Sequence, residues 1–169
     1  TAVGSFSDNS ATLWTAAFDG ETAYRFTYDG DQFNSTSIPV TSVGTYPKVT
    51  PKGPGESDFF VSGDNVIGRE YDEDGTVLKS IGHSDFDVDA ILYFRAAGHD
   101  YLLVHDHGVG NPNGRLFDIS DRNNVFEYGT TPSHGGNLES EFSDVDIRKN
   151  ADSTYTAFIL TARYGVGAY

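Results

Sequence analysis

The sequence contains no cysteine and no methionine. Absence of cysteine excludes disulfides, zinc–thiolate centres and thiol nucleophiles, while leaving the redox compartment open, because exported proteins without cysteine are common. Starting at Thr1 without a basic and apolar leader, the chain reads as a processed or excised segment of a longer precursor. Long apolar runs are missing too: stretches such as 157–160 are far too short to span a bilayer, so no membrane span is expected. Basic residues are scarce, with 11 Lys and Arg against 25 Asp and Glu, for a net charge of −14. Phosphate neutralisation needs clustered cations, so nucleic acid is excluded as a partner. With only Lys48, Lys52, Lys79 and Lys149 supplying ammonium groups, an anionic membrane surface is disfavoured as well.

No window of a dozen residues carries apolar positions at helical spacing. Short runs of β-branched and aromatic residues recur instead, separated by Gly, Asp, Asn and Pro, which predicts an all-β chain. Expected strands are 11–18, 23–28, 33–40, 47–50, 58–62, 66–71, 77–81, 88–96, 101–105, 115–119, 125–128, 145–148, 155–161 and 165–169. The pairs Asp19-Gly20, Asp29-Gly30 and Asp74-Gly75 supply the positive-φ positions of tight hairpin turns, so neighbouring strands are expected to run antiparallel. Residues 91–94 and 101–104 are apolar at consecutive positions, which implies cover on both faces of the sheet.

A repeat organises these strands. An aromatic–Asp pair closes a strand at Tyr28-Asp29, Tyr71-Asp72 and Phe117-Asp118, each preceded by an arginine (Arg25, Arg69, Arg115). The aromatics are 43 and 46 residues apart, near the length of a four-stranded propeller blade. A second echo, Asp87-Val88-Asp89 and Asp144-Val145-Asp146, marks the start of innermost strands. On these residues the chain resembles multi-bladed β-propeller proteins, particularly secreted or surface-exposed ones of bacterial envelopes. The resemblance covers nearly the whole chain and names no single family, since no WD, Kelch or RTX signature occurs. It implies about four blades, approximately 1–43, 44–84, 85–141 and 142–169, the first and last incomplete, as in a fragment of a larger ring. Apolar end faces would then be closed by another chain segment or a second copy.

Propeller topology sorts the loops by face. His83, Asp85 and Asp87 fall in one outer-to-inner connection, and His134, Asn137, Glu139, Glu141 and Asp144 in the next. His107, Asn111, Asn113 and Arg115 fall in a turn on the same side, with Arg163 and Tyr164 in the equivalent turn of the last blade. Four of the five histidines, all except His99, thus gather at one rim. Titratable and amide side chains on loops of a rigid scaffold suit a polar ligand. The simpler reading is that such residues are what exposed turns contain.

Two imidazoles, His105 and His107, share a strand face and are candidate ligands for a divalent metal, with Asp85, Asp87 or His134 as a third. Alternation alone would also place any such pair together. The acidic runs 72–75 and 85–89 leave calcium open without matching an EF-hand loop, and the first reads as a hairpin turn. No other cofactor is expected. No G-x-S-x-G, HExxH or phosphate-binding glycine loop is present. The expected function is a non-catalytic extracellular, periplasmic or cell-surface module binding a glycan or protein. A polysaccharide hydrolase or lyase acting at the same loop face, through a pair such as Asp87 with Asp144 or Glu141, is the enzymatic alternative. A structural interaction platform is the third. Tyr46, Phe86, Tyr164 and Trp14 are the rings to test for sugar stacking, with Trp14 read as a packing residue.

Overall fold

A computed structural model describes residues 2–3, 11–16, 21–28, 30–41, 43, 47–53, 56–106, 114–130, 143–161 and 165–168. Among them there is no helix, and every strand pairing is antiparallel. The strands are β1 (Ala2–Val3), β2 (Ala11–Ala16), β3 (Thr22–Tyr28), β4 (Phe33–Pro39), β5 (Lys48–Pro51), β6 (Phe59–Tyr71), β7 (Val77–Ala96), β8 (His99–Asp106), β9 (Gly114–Asp118), β10 (Phe126–Thr130), β11 (Ser143–Lys149), β12 (Tyr155–Thr161) and β13 (Gly165–Ala168). They form three hydrogen-bonded sets, ordered β1-β2-β3-β4, β10-β9-β8-β7-β6-β5 and β11-β12-β13.

The six-stranded set consists of two ladders. β6 doubles back between Ser62 and Val66: Phe59 and Tyr71 would lie roughly 40 Å apart on a straight strand, yet their rings stack with centroids 5.3 Å apart. Its first arm pairs with β5 (Lys48↔Ser62, Pro51↔Phe59) and its second with the start of β7 (Gly68↔Ile81, Tyr71↔Val77). The later part of β7 leaves that ladder and opens the next, pairing Ile91↔Val104 and Ala96↔His99 with β8, which continues to β9 and β10. The sequence predicts a separate connection at 82–87 between two strands. Instead β7 runs through it, because Asp87 bridges Asp64 and Gly82 bridges Val66 across shifted registers, so the linking backbone stays paired to the bend of β6.

The aromatic–Asp repeat maps onto equivalent places. Tyr28, Tyr71 and Phe117 each sit at or beside the end of a third strand, just before the turn into a fourth. Two of the aspartates that follow, Asp72 and Asp118, order their turns, while Asp29 lies outside the described residues. Asp72 Oδ1 accepts the amides of Asp74 (3.1 Å) and Thr76 (2.8 Å), and Asp118 Oδ1 accepts that of Ser120 (2.9 Å). The run 72–75 is therefore a hairpin turn, closed by Gly75 at φ +84°.

Apolar contacts lie between sheets. Ile38, Val49, Phe59 and Tyr71 bury one joint; Phe60, Ile81, Ile91, Leu102 and Phe117 bury the next; Ala90, Leu103, Val145 and Ile159 bury the third. Such two-sided burial explains the consecutive apolar positions of β7 and β8. The first strands of neighbouring ladders lie side by side, where Thr50 Oγ1, fully buried, accepts the amide of Tyr93 at 3.1 Å. Among the described residues no helix is long and apolar enough to cross a membrane.

Candidate functional site

Registers define two ends of the joined ladders. At one end lie Asp64, Asp87, Val88, Asp106, Gly114 and Thr130; at the other lie Pro51, Phe59, Tyr71, Val77, Ala96, His99, Asp118 and Phe126. The β11-β12-β13 sheet follows the same frame: Tyr155 packs on Phe94, 6.1 Å between centroids, so its Lys149↔Tyr155 pair belongs to the second end and its Ser143↔Thr161 pair to the first.

The sequence reading assigns its polar candidates to this first end. Arg115 stands there, opposite Val104 and Thr130, with Nη1 3.2 Å from Glu127 Oε2. Asp144 is exposed near the start of β11, and its Oδ1 accepts the amide of Val145 at 2.9 Å. The backbone of His83, Asp85 and Asp87 runs within β7; their side chains lie outside the description, as do His107, Asn111, His134, Arg163 and Tyr164. His105 is fully buried, between Ala90 and Gly114 on the adjoining strands. Among the described residues no three His, Asp or Glu side chains gather in a way that would hold a metal ion.

The opposite end carries a polar network that sequence reasoning missed. Glu70, 5% exposed, receives Arg122 Nε at 2.9 Å and Lys52 Nζ at 3.0 Å. Arg122 also reaches Asp100 (3.0 Å), donates to the Ile119 carbonyl and lies over the Phe60 ring, 5.7 Å from its centroid. Asp100 further accepts Tyr93 Oη and Arg95 Nε, each at 2.8 Å, and Arg95 closes the circuit at Glu56 (3.3 Å). Burial opposes ionisation of Glu70, but the hydrogen bonds from Arg122 and Lys52 outweigh it and hold its carboxyl below the usual range. Asp100 is depressed on the same balance, by Arg95, Tyr93 and Arg122. Burial, reinforced by the Asp100 carboxylate, raises the Tyr93 phenol. The signal available in the sequence was a glutamate beside Tyr71 inside a strand, where a charge needs a partner.

His99 also stands at this end, Nδ1 2.9 Å from Asp118 Oδ2. Ser120 Oγ approaches the same Nδ1 at 3.4 Å. A serine nucleophile needs the imidazole nitrogen remote from the aspartate, so this trio is not arranged as a catalytic relay. Clefts open between sheets among the described residues. One of about 460 Å³ lies between the second and third ladders, where Lys79 Nζ spans to Asn123 Oδ1 at 2.7 Å. One of about 490 Å³ lies between β7–β10 and β11–β12, walled by Phe94, Tyr101, Leu116, Tyr128 and Tyr155.

No protein-family model matches the chain, and no curated protein matches it. Among solved structures, the crystal structure of a DUF4623 family protein from Bacteroides eggerthii superposes with a TM-score of 0.67 at 13% identity, over 99% of this chain and 44% of that one. The similarity is one of fold, and the chain spans less than half the length of the protein it resembles.

Proposed function

We propose that this chain is part of a β-propeller of the secreted or envelope-associated bacterial type, and that it acts as a non-catalytic module binding a glycan or protein at its histidine-rich rim. The architectural part of this reading is supported by successive antiparallel sheets whose first strands adjoin at Thr50 and Tyr93. The site reading is supported by one observation: the registers put Asp106, Gly114, Thr130, Ser143, Thr161 and Gly165 at strand ends on the same end of their sheets. Segments 107–113, 131–142 and 162–164, which contain His107, Asn111, His134, Arg163 and Tyr164, connect those ends. Loops tied at both ends to a rigid sheet present polar groups without disturbing the core.

A glycan array and immobilised candidate proteins, probed with the chain while reducing ends are assayed in parallel, test this reading. Binding is expected without turnover, and Asp144→Ala with His134→Ala should weaken it at least tenfold while leaving the melting temperature unchanged. Release of reducing ends would favour the hydrolase reading, and binding indifferent to both substitutions would remove the rim.

A further inference from the structure

We propose that the cleft between β7–β10 and β11–β12 is a binding site for a small uncharged molecule with a flat apolar ring system and a hydroxyl at its edge. The site lies between sheets, not in the loops of the rim, and holds whatever the rim binds.

The chemistry of the walls selects that class. Asp, Glu, Lys and Arg make up 21% of the chain, so about three of the 14 described residues lining the cleft would be charged at the average rate, yet none is. An ion entering here would shed its hydration without meeting a counter-charge, which favours an uncharged ligand. A saccharide needs carboxylates, carboxamides or guanidinium groups around its many hydroxyls, whereas the described walls offer only phenols and the hydroxyls of Thr130 and Ser153. Ring surface is what they supply. Phe94 and Tyr101 stack at 5.2 Å, Tyr128 meets Tyr101 edge-on at 6.1 Å, and Tyr155 leans on Phe94 from the facing sheet at 6.1 Å. Flat ligand rings pack on such surfaces in offset or edge-to-face contact. The volume of about 490 Å³ lies within the range of small-molecule sites.

Small residues hold this space open. Ala96, Ala157 and Gly129 stand among the rings. Tyr128 is the extra residue of a β-bulge, since Glu127 pairs with Phe117 and Gly129 with the adjoining Leu116. The bulge bends β10 and sets Tyr128 and Gly129 together against one residue of β9. A Cβ built on Gly129 meets no atom within 4 Å, and its φ lies outside the left-handed region. Neither packing nor backbone conformation therefore calls for glycine there; its effect is to leave the cleft open.

His99 provides the polar edge. It pairs with Ala96, and strand alternation puts it on the same face as Tyr101 and Leu103, its ring 6.1 Å from that of Tyr101. Asp118, opposite Tyr101 on that face, accepts from His99 Nδ1 at 2.9 Å and is itself fixed by the Ser120 amide at 2.9 Å. The carboxylate assigns the proton to Nδ1, so the neutral ring presents Nε2 as an acceptor. An acceptor at the edge of an aromatic bed fits a hydroxyl carried on the ligand's own ring.

Calorimetric titration of the chain with 2-naphthol, naphthalene and naphthalene-2-sulfonate tests this. The naphthol should bind at one site with a Kd of about 1 mM or tighter. Naphthalene, which lacks the hydroxyl, should bind about two- to tenfold more weakly, and the sulfonate at least about tenfold more weakly. His99→Leu should bring the naphthol down to the affinity of naphthalene and leave naphthalene unaffected, a split that a merely structural role for His99 would not produce. Gly129→Leu should abolish binding of both at an unchanged melting temperature, and Tyr128→Ser, which removes a ring 64% exposed, should weaken both without unfolding the chain.

Absence of saturable naphthol binding would overturn the proposal, as would equal affinity for the sulfonate or binding indifferent to Gly129→Leu. A fall of several degrees in the melting temperature of unliganded Gly129→Leu would overturn it as well, by showing that the chain itself, 131–142 included, fills the cleft. Displacement of the naphthol by cellohexaose would overturn the assigned class, by making the cleft a saccharide site.

Discussion

Glu70 and Arg122, 52 residues apart in sequence, meet in a two-pronged ion pair, with Nε to Oε2 at 2.9 Å and Nη2 to Oε1 at 3.3 Å. Glu70 belongs to the second arm of β6 and Arg122 to the turn between β9 and β10, so the pair fastens one ladder to the next at the end marked by Tyr71 and Asp118. Lys52 from the β5–β6 turn and Asp100 from β8 extend it on either side. At this joint Lys52, Arg95 and Arg122 face Glu70, Asp100, Glu56 and Asp58, so the acidic surplus of the chain shrinks there to a single charge.

Removing both members of the pair should cost less than the two single losses summed. Arg122→Met strands the Glu70 carboxylate with Lys52 alone, and Glu70→Leu leaves Arg122 leaning on Asp100. Breaking a largely buried pair from one side costs roughly 3–5 kcal/mol, and the partial exposure of Arg122 brings the expected loss to about 2–4 kcal/mol. The double variant Glu70→Leu/Arg122→Met should recover at least 1 kcal/mol of the summed losses. Urea midpoints of the four proteins measure this; simple additivity would mean that the two side chains are not coupled.

Acid should loosen the same joint. Glu70 and Asp100 are both held below their ordinary values of 4.5 and 3.8, so their contribution is complete above those values and is lost as pH falls through the lower folded-state values. Lys52 is raised above 10.5, with its partners outweighing burial, so its contribution persists below that pH and is lost only at more alkaline pH. These groups thus predict a stability plateau from about pH 5 to 9 and a decline below about pH 4. Urea titrations across pH check it, and Glu70→Gln should flatten the acid limb; an identical limb in that variant would assign the decline to other carboxylates.

The parts of this structure legible in the sequence are those written locally. Gly30 and Gly75, each preceded in sequence by aspartate, take the φ values of +100° and +84° that those pairs predict. Tyr71 and Phe117 read as strand closures because the following aspartate must order the next turn, and it does. What escaped is long-range. Glu70 and Arg122 look like ordinary surface charges until β6 doubles back and the 119–125 turn folds over Phe60. Asp87 and Gly82 looked like loop residues because nothing nearby in sequence announces that Asp64 and Val66 will pair with them. His99, set apart from the other histidines by loop sorting, lies at the opposite end, where Asp118 holds it.

Tyr71 does two separable jobs. Its ring stacks on Phe59, and its hydroxyl donates to the Thr41 carbonyl at 2.9 Å, tying the second ladder to the segment that follows β4. Tyr71→Phe keeps the ring and loses the hydrogen bond, for an expected cost of about 0.5–1.5 kcal/mol. Tyr71→Ala opens a cavity in a fully buried position and should cost about 3–5 kcal/mol. Thermal melts of both variants, with amide exchange at Val40 and Thr41 as a local reporter, check the separation: Tyr71→Phe should loosen those amides while leaving exchange in β8 and β9 unchanged.

The β7–β8 hairpin turns through Ala97 and Gly98 with φ of +51° and +83°, the pattern of a two-residue turn with both central residues left-handed. Alanine is a poor choice at the first of these positions, since its Cβ crowds the backbone there, whereas asparagine tolerates the conformation. Ala97 is exposed, so a larger polar side chain meets no packing penalty. Ala97→Asn should therefore stabilise the chain by about 0.5–1 kcal/mol, which corresponds to roughly 1–4 °C in melting temperature for a chain of this size. Ala97→Val, β-branched and excluded from that region, should destabilise it by at least 1 kcal/mol. Melting curves that rank valine at or above alanine would show that the turn is not left-handed at residue 97.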